Sequence, residues 1–140
     1  TAYNVGLKTI SKLKKELDGW FSKYIRLRDS TDMGVAQCFT CGKIDHYKKL
    51  QNGHFQSRRH HVTRWDETNC QVQCVKCNMF EQGMQWQFGL KLDSKYGLGT
   101  AEELQLKARK PFKLMRIDYE EKISYYKGLV NKIKKEKSIE

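Results

Sequence analysis

Two short cysteine motifs, Cys38-Phe39-Thr40-Cys41 and Cys74-Val75-Lys76-Cys77, decide how this chain folds. Each motif places two sulfur atoms on one side of a tight turn, and two such turns complete a tetrahedral site of four thiolates, which suits Zn²⁺. In a reducing compartment, paired motifs of this kind indicate a metal site rather than disulfides. The predicted ligands of a structural zinc are Cys38, Cys41, Cys74 and Cys77.

The interval between the two motifs is unusually long. Thirty-two residues separate Cys41 from Cys74, which is more than a simple zinc ribbon uses. We therefore look for the chemistry of the protein in this insert and directly after it. His54 follows Gly53 in the insert, Asn69 precedes the second motif, and Asn78 comes immediately after it.

The order of these motifs resembles the HNH, or ββα-metal, nuclease module, in the version that is held together by a four-cysteine zinc site. It is also similar to phage endonuclease VII, and it most closely resembles the phage NinG/Rap recombination protein family. The resemblance covers about Phe21–Gly97 and rests on the run CFTCGK…GHFQSRRHH…TRWDETNCQVQCVKCN…QGMQ…YG with the upstream FSKYIRLRD. It implies a metal-dependent endonuclease that cleaves branched recombination intermediates, such as Holliday junctions or D-loops, with catalytic Mg²⁺ or Mn²⁺.

Three residues match the catalytic positions that the resemblance implies. His54 is the candidate general base, because an imidazole near neutral pKa accepts a proton from water. Asn69 is the candidate residue that fixes the orientation of the His54 ring. Asn78 is the candidate ligand of the catalytic divalent ion, since an amide oxygen suits a hard cation such as Mg²⁺ or Mn²⁺.

One position departs from the wider nuclease pattern, in which an Asp or a His directly before the catalytic histidine is a second metal ligand. Here that position is Gly53. We expect another side chain to supply the missing ligand, and Asp66 is singled out because Mg²⁺ prefers oxygen ligands. The other candidates are Glu67, Glu81, Gln82, His60 and His61.

The charge of the chain favours a polyanionic partner. Lys and Arg number 27 against 16 Asp and Glu, which gives a formal net charge of +11. Arg58, Arg59 and Arg64 lie beside the predicted site, where we expect them to contact DNA phosphates; the alternative is a solvated loop. A zinc-finger DNA-binding protein without catalysis, acting as a recombination accessory factor, remains the alternative function.

The chain has the length of a single domain, 1–140, and we expect the α+β class: a small zinc-pinned ββα-metal finger flanked by helices. Apolar residues at steps of three and four predict an N-terminal helix at 7–29 and C-terminal helices over 101–137. The zinc module is assigned to 35–90 between them. Within it the second cysteine motif is predicted to open a helix over 75–88, and Pro111 is predicted to lie in the first turn of the final helix.

Further expectations concern location and assembly. The sequence has no apolar run long enough to span a membrane, so we expect a cytoplasmic protein with no membrane partner, phage-encoded and acting in a bacterial host by resemblance. The two-fold symmetry of a junction favours a homodimer. The seven-residue spacing of apolar residues in the last helix offers a possible dimer seam.

Overall fold

The computed structural model describes residues 7–140 of the chain. These residues contain five α-helices and four short strands, so the protein is of mixed α+β class. The helices are α1 (Ile10–Arg28), α2 (His61–Arg64), α3 (Gln85–Tyr96), α4 (Thr100–Ala108) and α5 (Arg116–Lys137). The strands are β1 (Val35–Gln37), β2 (Ile44–His46), β3 (Gln51–His54) and β4 (Cys70–Gln73).

The long helices α1 and α5 pack against each other and form the main hydrophobic core. The apolar stripe of α1 that the sequence predicts is buried, and it begins with Leu13, three residues after the helix starts. Thr9 caps the helix, because its hydroxyl accepts a hydrogen bond from the Lys12 amide. The Phe21 and Tyr126 rings meet edge to face across this interface, with centroids 4.9 Å apart. The apolar face of α5 is therefore covered within the chain, and it is not available as the predicted dimer seam.

The strands form two separate antiparallel hairpins. β1 pairs with β2, and the connection between them carries the first cysteine motif. β3 pairs with β4 with His54 opposite Cys70, so the long insert forms a loop, 55–69, that leaves and re-enters this hairpin. Helix α1 lies against β3 and β4, and this contact joins the helical pair to the cysteine-bearing half of the molecule.

The segment after the second cysteine motif differs from the predicted helix. Instead of one helix over 75–88, a π-helical turn (Lys76–Phe80) and a 3₁₀ turn (Gln82–Met84) precede α3. The break lies at Gln82, Gly83 and Met84, which have φ of 52°, 79° and 52°. A left-handed backbone is costly for Gln and Met, so the surrounding contacts must hold it in place. Because α3 continues to Tyr96, the predicted module boundary at residue 90 falls inside a helix.

The last helix also begins later than predicted. Residues 111–115 are not helical, and α5 starts at Arg116 after Met115. The Asp118 carboxylate accepts a hydrogen bond from the Met115 amide at 2.7 Å, which caps the helix at this point. Pro111 thus lies before the helix, at the start of the non-helical segment 111–115. Within residues 7–140, none of the helices combines the length and the apolar character that crossing a membrane requires.

Candidate metal centre and nuclease site

The four cysteines of the two motifs converge on one point. Their sulfur atoms all lie within 4.8 Å of one another, and the Cys41 and Cys74 sulfurs are 3.7 Å apart. Tetrahedral Zn²⁺ with Zn–S bonds of about 2.3 Å requires sulfur–sulfur distances of roughly 3.8 Å. The cluster therefore fits a zinc ion as the sequence predicts.

The surroundings of Cys38 favour its thiolate form. Burial alone would raise its pKa, but hydrogen bonds from the Thr40 hydroxyl and from backbone amides outweigh this effect and lower the pKa of Cys38 to about 6. The fifth cysteine, Cys70, lies outside the cluster in the main core. Burial raises the pKa of its thiol far above the ordinary value, so it is an inert apolar residue.

His54 ends β3 and lines a cleft between α1, β3 and the second cysteine motif. Its Nε2 lies 2.9 Å from the Arg64 carbonyl oxygen. A carbonyl only accepts, so Nε2 carries the proton and Nδ1 keeps the lone pair of the neutral ring. Burial, together with the positive charges of Arg58 and Arg64, lowers the pKa of His54 to about 4. The imidazole is therefore neutral at pH 7.

Asn69 does not contact the His54 ring directly. It is fully buried at the base of the 55–69 loop. Its Oδ1 accepts from the Gln56 amide at 2.7 Å, and its Nδ2 donates to the carbonyls of Gln56 and Thr63 at 3.1 and 3.0 Å. These three bonds close the loop that carries Arg64, whose carbonyl binds His54. The link between Asn69 and the His54 ring is therefore indirect: Asn69 holds the loop, and the Arg64 carbonyl of that loop lies against Nε2.

Asn78 lines the same cleft of about 600 Å³ as His54. Its Nδ2 donates to Gln51 Oε1 at 2.8 Å, which directs the amide and leaves Oδ1 without a hydrogen bond among the described residues. Asn52 also lines this cleft, and its buried Oδ1 has no hydrogen-bond partner in the part of the chain that the structure describes. Two amide oxygens without donors beside a histidine suit the oxygen preference of Mg²⁺ or Mn²⁺.

The packing around position 53 explains why the residue there is a glycine. A Cβ at this position would overlap the Gln73 side chain, whose amide carbon would lie 2.6 Å away. Gln73 is fully buried, and its Nε2 donates to Thr40 Oγ1 at 3.1 Å and to the Gly83 carbonyl at 2.9 Å. This glutamine therefore connects the first cysteine motif to the left-handed turn before α3. It fills the space that an acidic residue at position 53 would need.

The carboxylates that were candidates for the second ligand have other partners. Asp66 Oδ1 accepts from the amides of Thr68 and Asn69, and its Oδ2 pairs with Lys107. It lines a different pocket from His54 and Asn78. Glu67 accepts from the hydroxyls of Tyr24 and Tyr126, which lie on α1 and α5, at 3.0 and 3.1 Å. Asp66 therefore does not share the cleft of Asn78, and Glu67 anchors the loop to the helical pair.

The remaining candidates are distributed around the loop and the turn before α3. The ring of His61 packs beside that of Trp65, with their centroids 5.9 Å apart. His61 also lines the pocket that contains Asp66. His60 precedes α2 and makes no capping bond with its side chain. Glu81 is exposed, and Gln82 lines a second pocket together with His54 and Asn78.

The three arginines separate into two kinds. Arg64 is only 14% exposed and forms a two-pronged pair with Asp18 of α1, through Nε at 3.1 Å and through Nη2. Asp18 also accepts from Trp65 Nε1 and Arg58 Nη2, both at 3.0 Å. The geometry makes Arg64 an internal ion-pair partner rather than the phosphate contact predicted for it. Arg58 and Arg59 remain exposed, and Arg58 lines the cleft.

Sequence reasoning missed Asp18, Asn52 and Gln73. Asp18 lies next to the buried Leu17 in a helix whose polar positions otherwise read as solvated, so no local signal marks it. Gln73 precedes Cys74 and shows no motif of its own. Only the pairing of β3 with β4, in which Gln73 is opposite Gln51, brings its side chain diagonally across to Gly53.

These features define a small α+β protein in which a four-cysteine cluster supports a histidine-containing cleft. A sequence model described as Bacteriophage Lambda NinG protein matches residues 3–136, so the chain belongs to this phage family. No curated protein and no solved structure gave a significant match to the chain.

Proposed function

We propose that this protein is a metal-dependent, structure-selective endonuclease of the HNH type that cuts branched DNA recombination intermediates such as Holliday junctions or D-loops. The observation that carries the proposal is the state of His54. The Arg64 carbonyl holds the proton on Nε2, and the ring shares a cleft with Asn78. A neutral imidazole with Nδ1 free is the form that a general base requires.

The proposed mechanism assigns one task to each side chain of the cleft. His54 Nδ1 accepts a proton from the water that attacks the phosphodiester, while the Arg64 carbonyl keeps the ring in the productive tautomer. Asn78 and Asn52 would hold the Mg²⁺ or Mn²⁺ ion through their Oδ1 atoms. When bound, the ion supplies positive charge that stabilises the negative charge developing on the leaving oxygen. Arg58 binds a phosphate oxygen and keeps the strand in place.

The formal charge of +11 supports a DNA substrate, because lysine and arginine side chains release counterions when they bind phosphates. The choice of branched DNA as the substrate rests on the family to which the chain belongs. A junction has two-fold symmetry, so we also propose that a homodimer acts on it. Its interface must lie outside the α1–α5 contact, and sedimentation with and without junction DNA tests it.

The deciding experiment is cleavage of a labelled four-way junction and of a linear duplex with the same sequence, with Mg²⁺, with Mn²⁺ or without divalent ion. His54→Ala should lower the rate by about 10²–10⁴-fold while junction binding is retained. His46→Ala is the matched control, since this half-buried histidine at the end of β2 lines neither of the pockets that contain His54. Equal cutting of both DNAs would refute the selectivity for branches.

The second candidate function is a zinc-finger DNA-binding protein without catalysis, acting as a recombination accessory factor. The observation that favours it is Gly53, because Gln73 occupies the space in which the wider nuclease pattern has an acidic ligand. Tight junction binding without cleavage under any metal, and unchanged by His54→Ala, would support this function and refute the nuclease.

A further inference from the structure

A separate pocket of about 390 Å³ lies between α3 and α4. Its walls are largely apolar and include Phe55, Trp86 and Leu90. Gly89 forms part of it, and a Cβ there would come within 3.3 Å of the Phe55 ring. The volume lies in the ~300–1,000 Å³ range of pockets that hold small organic ligands.

The Trp86 side chain is 76% exposed, which is unusual for the largest apolar residue type. It is the second residue of α3, which follows the left-handed turn that the buried Gln73–Gly83 hydrogen bond holds in place. The indole ring is therefore presented at the pocket by a strained but well-anchored backbone. An exposed aromatic ring beside a charged site is a typical surface for stacking.

The polar groups of the pocket are neutral amides. Gln56, Gln85 and Gln105 line it, and among its lining residues there is no lysine or arginine. Amides both donate and accept hydrogen bonds, so they suit the edge of a nucleobase, whereas a phosphate would require positive charge. The one carboxylate, Asp93, accepts from the Ala101 amide at 2.9 Å.

Two residues link this pocket to the proposed catalytic site. Phe55 and Gln85 line both this pocket and the one that contains His54, Asn78 and Arg58. Gln85 Nε2 also lies 3.5 Å from the His54 carbonyl oxygen. A strand with its phosphate at Arg58 would therefore bring a neighbouring base to Phe55 and Gln85.

We propose that this pocket binds one unpaired nucleobase of the DNA strand at the branch point, stacked on Trp86 and bonded by the glutamine amides. The inference rests on the proposed function for DNA as the substrate, but it does not depend on catalysis. It gives the selectivity for branches a physical origin, because a base in an intact duplex must first lose its stacking and pairing, at a cost in free energy, before it can enter a side pocket.

The experiment measures binding without cleavage, in zinc-loaded full chain carrying His54→Ala and without added divalent ion. The probes are a four-way junction with one added unpaired base at the branch point and a duplex with one bulged base, each with 2-aminopurine at the unpaired position, and a fully paired duplex. Trp86→Ala should weaken binding to the two branched or bulged probes by about 5- to 150-fold, since stacking on an aromatic side chain contributes ~1–3 kcal/mol per base. It should also abolish the quenching of 2-aminopurine.

Three further variants keep the test sharp. Trp86→Phe should retain most of the affinity and the quenching, because a ring remains. Ala101→Leu should reproduce the loss by filling the pocket while Trp86 stays in place. Leu98→Ala, which removes a 96% exposed apolar side chain that does not line the pocket, should change binding less than twofold.

The outcomes separate this proposal from that of the nuclease. Equal weakening on paired and unpaired probes, or no change with Trp86→Ala, would overturn the base pocket and leave the nuclease untouched. A change of oligomeric state in Trp86→Ala would show that the surface contacts protein, and it would overturn the proposal as well. Quenching that depends on Trp86 in a protein that never cleaves would support the pocket and refute the nuclease.

Discussion

Among the substitutions predicted for this protein, Asp18→Asn should lower the free energy of unfolding most. Its carboxylate, 22% exposed, accepts hydrogen bonds from Arg64, Arg58 and Trp65, and the Arg64 side chain is 14% exposed. Asp18→Asn keeps the shape but leaves the Arg64 charge without its partner. Removing one partner of a buried pair costs about 3–5 kcal/mol, and the partial exposure of this pair places the expected loss near ~3 kcal/mol.

The assay is urea unfolding of the zinc-loaded protein, complemented by thermal unfolding. For a chain of this size, a loss of ~3 kcal/mol lowers Tm by roughly 10 °C. The matched control is Glu16→Gln on the same helix, because Glu16 pairs with Lys8 at side-chain exposures of 31% and 55%. Exposed pairs of this kind contribute about 0–1 kcal/mol.

Asp18→Asn should also affect the site, because Arg64 presents the carbonyl that binds His54. A loss of stability below ~1 kcal/mol, equal to that of Glu16→Gln, would refute the argument that Asp18 secures the loop. A double-mutant cycle with Arg64→Met measures the coupling free energy directly.

Three other predictions concern the four-cysteine cluster, the packing at Gly53 and the cleft of His54. Gly53→Ala should destabilise the protein by about 1–3 kcal/mol in urea unfolding, because the new methyl group displaces Gln73. Gly19→Ala is the control, since no atom lies within 4 Å of its new Cβ, and it should stabilise α1 by ~0.5–1 kcal/mol. Equal effects of the two substitutions would refute the packing role of Gln73. Replacing Zn²⁺ by Co²⁺ should give the visible absorption of a tetrahedral all-sulfur site, and chelation should release the four motif thiols but not Cys70 to a thiol reagent; labelling of all five at once would contradict a local zinc site. The pKa of His54 is about 4 in the folded state against 6.5 for an unperturbed histidine, so the unfolded protein binds more protons between these values. The free energy of unfolding should therefore fall as the pH drops from 6.5 towards 4, and below pH 4 the protonation of His54 should cause no further fall. When the stability of the zinc-loaded protein is measured against pH, His54→Gln should remove this part of the dependence.

The parts of the fold that could be predicted from sequence are those with local signals. The two cysteine motifs carry their turn geometry within four residues each, and α1 shows its buried face in the spacing of its apolar residues. The end of α3 at Gly97 is similarly local. These features depend on neighbours along the chain, so the pattern alone suffices to place them.

The remaining features depend on contacts between distant residues. The left-handed turn at Gln82–Met84 is stabilised by Gln73, which approaches it only once β3 and β4 have paired. The role of Arg64 is changed by Asp18, which is 46 residues away. Asn52 becomes a candidate ligand because its oxygen is buried without a donor, a property that no spacing reveals.

The position of α5 has a consequence for the timing of synthesis. Tyr126 fixes Glu67 of the 55–69 loop, and Lys137 donates to the Leu27 carbonyl at the end of α1 at 3.3 Å. A ribosome releases the chain from its N-terminus, so the four zinc ligands emerge and can load metal well before these two residues do. The four cysteines can therefore come together before α5 is available, and the loop beside His54 gains its last anchors only when α5 has left the exit tunnel and docked on α1.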